Sequence, residues 1–148
     1  SPAGGSLNNN VEGRLNGLSS WAAWRVTDRW RMTAAYVHTD QQFRARPGVP
    51  PPILINSLGN DPRYRVSLGS SFDIGRTVEL DLQVRRVGAL PDPAVPAYTA
   101  LDARLGWRVN PALEVSVTGR NLNHARHVEW GNGVSTPRSV FVQAVWRH

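Results

Sequence analysis

The sequence predicts an all-β fold: an antiparallel, up-and-down segment of a transmembrane β-barrel with about seven strands, short periplasmic turns and long extracellular loops. Three observations carry the prediction. Apolar and polar residues alternate with period two through most of the chain, as in strands with one face in each environment. Connections alternate strictly between tight turns and long loops, so each kind gathers at one end of a meander. Aromatic residues on the apolar parity cluster near the strand ends, where Trp and Tyr favour a membrane-water boundary.

In chain order, Leu18, Ala22, Trp24 and Val26 oppose Ser19, Trp21 and Arg25, and then Trp30, Met32, Ala34 and Tyr36 oppose Arg29, Arg31 and Thr33. The turn between them is Thr27-Asp28. A long connection over about residues 41–62 follows, with the stiff run PGVPPP. Tyr64, Val66, Leu68, Ser70 and Phe72 then oppose Arg63, Arg65, Ser67 and Asp73, and a turn at Asp73-Ile74-Gly75 leads into the clearest strand. There Val78, Leu80, Leu82 and Val84 oppose Thr77, Glu79, Asp81, Gln83 and Arg85. The second long connection, about 88–97, reads GALPDPAVP. Leu101, Ala103, Leu105 and Trp107 oppose Asp102, Arg104 and Arg108, Asn110-Pro111 makes the third turn, and Leu113, Val115 and Val117 oppose Glu114, Ser116, Thr118 and Arg120. The third long connection spans about 121–137. The last strand sets Val140, Val142, Ala144 and Trp146 against Ser139, Gln143 and Arg147, with Phe141 and Val145 as apolar exceptions on the polar side.

Composition agrees with this and excludes other classes. The chain has 148 residues, 41% hydrophobic, with a mean hydropathy of -0.36 and no unbroken apolar window long enough for a membrane helix. That apolar content is too high for a wholly disordered chain. No cysteine is present, which excludes disulfide scaffolds and thiolate metal sites. All 17 basic residues are arginine, giving a net charge of +6, but they are scattered singly rather than clustered as a nucleic-acid face would require. Within the strands they keep to the polar parity, and Arg86 alone falls on the apolar one, at the expected outer rim. The sequence opens at Ser1 with no leader pattern, and residues 1–10 are expected to be a flexible segment ahead of the barrel portion, 11–148. Trp24, Trp30, Phe72, Trp107 and Trp146 are the expected girdle at the lipid interface, with Tyr36 and Tyr64 at the far ends of their strands.

The last third carries a family resemblance. VPAYTALDARLGWR (Val95 to Arg108), LEVSVTGRNL (Leu113 to Leu122), RHVEWG (Arg126 to Gly131) and PRSVFVQAVWRH (Pro137 to His148) together resemble the carboxyl end of a TonB-dependent outer-membrane receptor. The resemblance is specific over about 95–148 and one of strand pattern over 11–87. It implies about the last third of a large plugged barrel in the bacterial outer membrane that takes up a scarce nutrient, a ferric siderophore or other iron complex by family frequency. It implies as partners the outer-membrane lipid, the rest of the barrel and its plug, TonB acting through that plug, and the outer-membrane assembly machinery. Val142, Ala144, Trp146 and His148 would form the terminal assembly signal, in which His148 stands where the family closes on Phe. Asn123-His124-Ala125 departs from the family's usual Leu-Asp-Pro.

Arg63, Arg65, Glu79, Asp81, Arg85, Asp102, Arg104 and Arg120 are the candidates for contact with the plug or a solute, because all lie on the parity that would face the lumen. No catalytic constellation or phosphate loop occurs, and no cofactor, catalytic residue, metal ligand or nucleic-acid partner is predicted. His124, His127 and Glu129 resemble a metal-ligand cluster, but their loop position and their place in the Arg-His-x-Glu pattern favour a loop-folding role. The alternative is a soluble β-barrel or sandwich with its aromatic parity turned inward around an apolar ligand.

Overall fold

A computed structural model of the chain describes residues 10–48, 60–92, 94–129 and 134–147. Seven strands form one antiparallel sheet: β1 (Val11–Thr27), β2 (Trp30–Ala45), β3 (Tyr64–Ile74), β4 (Val78–Val87), β7 (Tyr98–Arg108), β8 (Leu113–Arg120) and β11 (Ser139–Trp146). Each pairs with its neighbours in sequence order, and β1 and β11 are the edges. Two small ladders sit inside the long connections, β5 (Leu90–Pro91) with β6 (Ala94–Val95), and β9 (Arg126–Val128) with β10 (Ser135–Pro137).

Local chemistry fixes the three tight turns. Thr27 Oγ1 accepts from the Arg29 amide at 3.3 Å. Gly75 takes a φ of 71°, which side chains resist. Asn110 Oδ1 accepts from the Ala112 and Leu113 amides, both at 2.9 Å, an Asx turn that reverses the chain between β7 and β8. Because these turns set the hairpin registers, side chains of one parity stay on one face across the sheet. One row runs Trp30, Phe72, Leu80, Leu105, Val117 and Val142; the row nearer the β3–β4 turn runs Ile74, Val78, Trp107, Val115 and Ala144. Trp146 pairs with Leu113 at the same end. The opposite face carries Arg31, Ser71, Asp81, Arg104 and Thr118 in one row.

The sheet is a single layer, and burial reflects that. Among the described residues the buried hydrophobic side chains are Val87, Val95 and Ala100, all at the loop end, whereas Leu68, Leu82, Leu105, Trp107 and Val142 are exposed. A sandwich would cover such residues with a second sheet; the described residues form none.

Two expectations need correction. β1 and β2 run further than the alternation indicated, and the first long connection begins at Arg46 rather than near 41. Above Tyr36 polar residues enter both parities, as in Asp40, Gln41 and Gln42, so period two fades while the hairpin ladder continues. For the same reason Arg86 is not the only strand arginine on the apolar parity: Arg14 and Arg44 share it, in this polar extension, where Arg44 pairs with Glu12. Residues 1–9 and His148 lie outside the described residues, as do 49–59 and 130–133 of the loop segments.

Candidate functional site on the charged face

Register places Arg65, Glu79, Asp81, Arg85, Asp102, Arg104 and Arg120 on one face, with Arg63 one residue before β3. The face forms a trough of about 850 Å³ whose walls include Arg31, Asp81, Arg104, Arg85, Arg120 and Glu129. Its charges sort into two groups.

Nearer the tight turns, Arg104 is the hub. Its guanidinium reaches Glu114 at 2.6 Å, Asp81 at 3.1 Å and Glu79 at 3.5 Å. Glu79 also accepts from Arg31 at 3.1 Å, and Arg31 reaches Asp73 at 3.1 Å. The Ser71 hydroxyl bridges Glu79 and Asp81. The network is possible because Gly106 leaves room: a Cβ there would stand 2.9 Å from both Nη atoms of Arg104. Arg31, Asp73 and Glu114 belong to this network although none was among the candidates. Their parity was visible in the sequence, but their cross-strand reach was not.

Nearer the long loops, the strand β8 ends in a turn built by Asn121, which takes a φ of 54° and is buried. Its amide donates to Asp102 Oδ1 at 2.8 Å and its Nδ2 to the Thr136 carbonyl at 3.0 Å. Asp102 is therefore committed to the loop. Leu122 then folds over Gly119, where a Cβ would clash at 2.7 Å, and its amide donates to the Leu101 carbonyl at 2.8 Å. Asn123 completes the edge of β7 like a short strand, accepting from the Leu101 amide at 3.0 Å and donating to the Thr99 carbonyl at 2.7 Å. These bonds give the Gly-x-Asn-Leu run its physical meaning: space, a left-handed residue and a lid. Replacing Asn121 by Ala loses both the favoured φ and the Thr136 bond and is expected to cost about 2 kcal/mol. Asn121→Gly keeps the φ and is expected to cost less. Urea midpoints of the folded protein check the order.

Beside this turn, His127 stacks on Tyr98 with ring centroids 4.4 Å apart, and its Nε2 meets Glu129 Oε1 at 2.7 Å. Glu129 also receives Arg85 at 3.4 Å. His127 is thus held between a ring and a carboxylate with its side chain 8% exposed. His124 lies 6.5 Å from it, centroid to centroid. Among the described residues no group of three or more His, Cys, Asp or Glu is placed to hold a metal ion. The Arg120 guanidinium lies 5.6 Å over Phe141, which explains why an apolar ring sits on the charged parity. Arg63 and Arg65 make no ion pair among the described residues.

The other predicted residues occupy the opposite face. Trp24, Trp30, Phe72, Trp107 and Trp146 share it, at the tight-turn end, and Val142 and Ala144 lie on it in β11. The arrangement is a wall of paired charge on one face, backed by exposed apolar side chains on the other.

In the comparison with known families, the model for "TonB dependent receptor-like, beta-barrel" matches residues 2–122. The match takes in the strands that resembled the family only in pattern and overlaps the motif-bearing part from 95 to 122. No curated protein and no solved structure matches the chain.

Proposed function

Because the chain belongs to the TonB-dependent receptor β-barrel family, whose members are outer-membrane transport receptors, we propose that it forms part of the wall of such a receptor and that the cargo is a ferric siderophore or other iron complex. The observation that carries the reading is the two-faced single sheet: large apolar side chains exposed on one side, a linked charge network on the other. In this reading the apolar face meets outer-membrane lipid, with Trp24, Trp30, Phe72, Trp107 and Trp146 at the periplasmic interface. The charged face lines the lumen, where Arg65, Glu79, Asp81, Arg104 and Arg120 meet the plug or passing solute, and TonB acts through that plug. In the same reading the edges β1 and β11 pair with further strands of the barrel, of which the sheet is about the last third. Val142, Ala144 and Trp146 present the terminal signal to the assembly machinery.

Dimensions support the reading. From Val78 to Arg86 the apolar face climbs about 26 Å along β4, or about 20 Å in height at a tilt of about 40°, close to the band of about 25 Å expected of outer-membrane barrels. The 16 residues of β2 reach about 40 Å by the same arithmetic, so the polar end of the β1–β2 hairpin stands in water above the membrane.

Single-tryptophan variants test the faces in the reconstituted receptor. Trp107 is expected to be quenched by brominated lipid, and Trp21, on the charged face and 81% exposed, by aqueous acrylamide instead. The reverse pattern would overturn the reading. For the cargo, iron-limited growth on a ferric siderophore is expected to depend on both this protein and TonB; uptake that persists without TonB would remove the transport assignment.

A further inference from the structure

On the apolar face one cation interrupts the hydrocarbon within the height of the band. Arg86 stands in the row Tyr36, Val66, Arg86 and Thr99, eight residues up β4 from Val78. Its Nη1 donates to Thr99 Oγ1 at 2.9 Å, a neutral partner, and among the described residues it makes no ion pair. A guanidinium has five N–H donors, and the bond to Thr99 uses one of them. Beside it opens a hollow of about 250 Å³ whose lining includes Arg86, Pro96, Ala97, Thr99 and His124. His124 comes there because the Asn121 turn and the Asn123 bonds fold its loop back along the outer edge of β7. Directly below, the same face continues as Leu68, Val84 and Leu82, all exposed.

We propose that this hollow binds the phosphate headgroup of an outer-leaflet lipid, with Arg86 and His124 on the phosphate and the acyl chains lying down the Leu68, Val84 and Leu82 strip. The inference rests on the reading that the apolar face meets lipid. An arginine at the membrane midplane of a barrel costs about 2–4 kcal/mol, falling to about 0–1 near the interface, so the height of Arg86 already makes it tolerable. A planar fork of donors then matches phosphate oxygens in pairs. The amphiphilic match decides in favour of a lipid over a free anion: the charge sits at the top of an apolar strip, not at the mouth of a polar pocket.

The test uses the intact receptor in neutral detergent, titrated with diphosphoryl lipid A, with bound lipid counted by native mass spectrometry. Wild type is expected to retain the lipid, and Arg86→Gln to bind it about tenfold more weakly. Arg86→Lys is expected to lose only a few-fold, since it keeps the charge without the fork. Dephosphorylated lipid A is expected to bind wild type as weakly as the phosphorylated lipid binds Arg86→Gln. Equal retention by wild type and Arg86→Gln would overturn the site and leave Arg86 as a side chain that merely snorkels to the surface. Competition by millimolar inorganic phosphate would show a free-anion site and overturn the lipid assignment. Trp107 quenching by brominated lipid, measured on the same variants reconstituted in vesicles, separates the two failures: if quenching is absent, the face reading falls; if it is present without an Arg86 effect, only the headgroup site falls.

Discussion

Arginine in place of Leu82 is expected to keep the protein out of the membrane, whereas arginine in place of its neighbour Gln83 is expected to leave assembly intact. Leu82 pairs with Ser70 and Ala103 in the middle row of the apolar face, between the Trp107 row below and the Arg86 row above. It is 40% exposed on that face. If lipid covers it, a charge there lies at the bilayer midplane and costs about 2–4 kcal/mol, a large share of the roughly 5–15 kcal/mol that typically holds a protein folded. Gln83 pairs with Gly69 and Asp102 on the other face and lines the trough. An arginine there has water and carboxylates around it. The two variants add the same side chain at adjacent positions, so expression and net charge cancel in the comparison. Heat-modifiable mobility in gels and urea midpoints in lipid vesicles are expected to show Leu82→Arg misassembled and Gln83→Arg close to wild type. Equal penalties, or the larger one at Gln83, would mean that the apolar face does not meet hydrocarbon.

Much of this geometry is legible in the sequence, for a reason that also explains what is not. Period two is visible only where the two faces meet different surroundings. β3, β4, β7 and β8 alternate cleanly, β11 does so apart from Phe141 and Val145, and the sequence located all five to within a few residues. The outer halves of β1 and β2 mix polar residues into both sides, around Asn16, Gly17, Asp40 and Gln41, so their ladder leaves no regular alternation. The ladders of β5 with β6 and β9 with β10 are two and three residues long, too short for any periodicity. Charged parity was equally legible, but its pairing was not. Glu114 and Arg104 lie ten residues apart across the β7–β8 hairpin, while Arg31 and Asp73 are 42 apart in sequence. Which of them touch depends on cross-strand register and on side-chain reach. Asp102 looked like its neighbours in the sequence, yet it is bound to the Asn121 amide rather than open to a ligand. Gly106 looked like a gap in the pattern and is the space that the Arg104 guanidinium fills.

Arg104→Met is expected to destabilise the barrel wall by about 2 kcal/mol, because it strips the shared cation from three carboxylates at once. The side chains involved are half-wet: Arg104 is 30% exposed, Glu114 22%, Asp81 36% and Glu79 38%. Any single pair at that exposure contributes under about 1 kcal/mol, so the effect depends on the hub rather than on one contact. Removing the hub leaves Glu79, Asp81 and Glu114 facing one another, with Arg31 and a distant Arg147, 3.8 Å from Glu114, to offset them. A double-mutant cycle separates this network from a collection of independent surface charges. Combining Arg104→Met with Glu114→Gln is expected to cost less than the two single changes summed, by about 1 kcal/mol, since one repulsive carboxylate goes with the arginine it served. The difference is expected to shrink as salt rises, in proportion to how far water reaches the pairs. Gly106→Val supplies an independent check, since its Cβ pushes the guanidinium off its seat while every charge remains. It is expected to reproduce part of the Arg104→Met loss. Additive single and double changes, or a neutral Gly106→Val, would show that the charges are merely solvated and that the wall owes its order to the ladder alone.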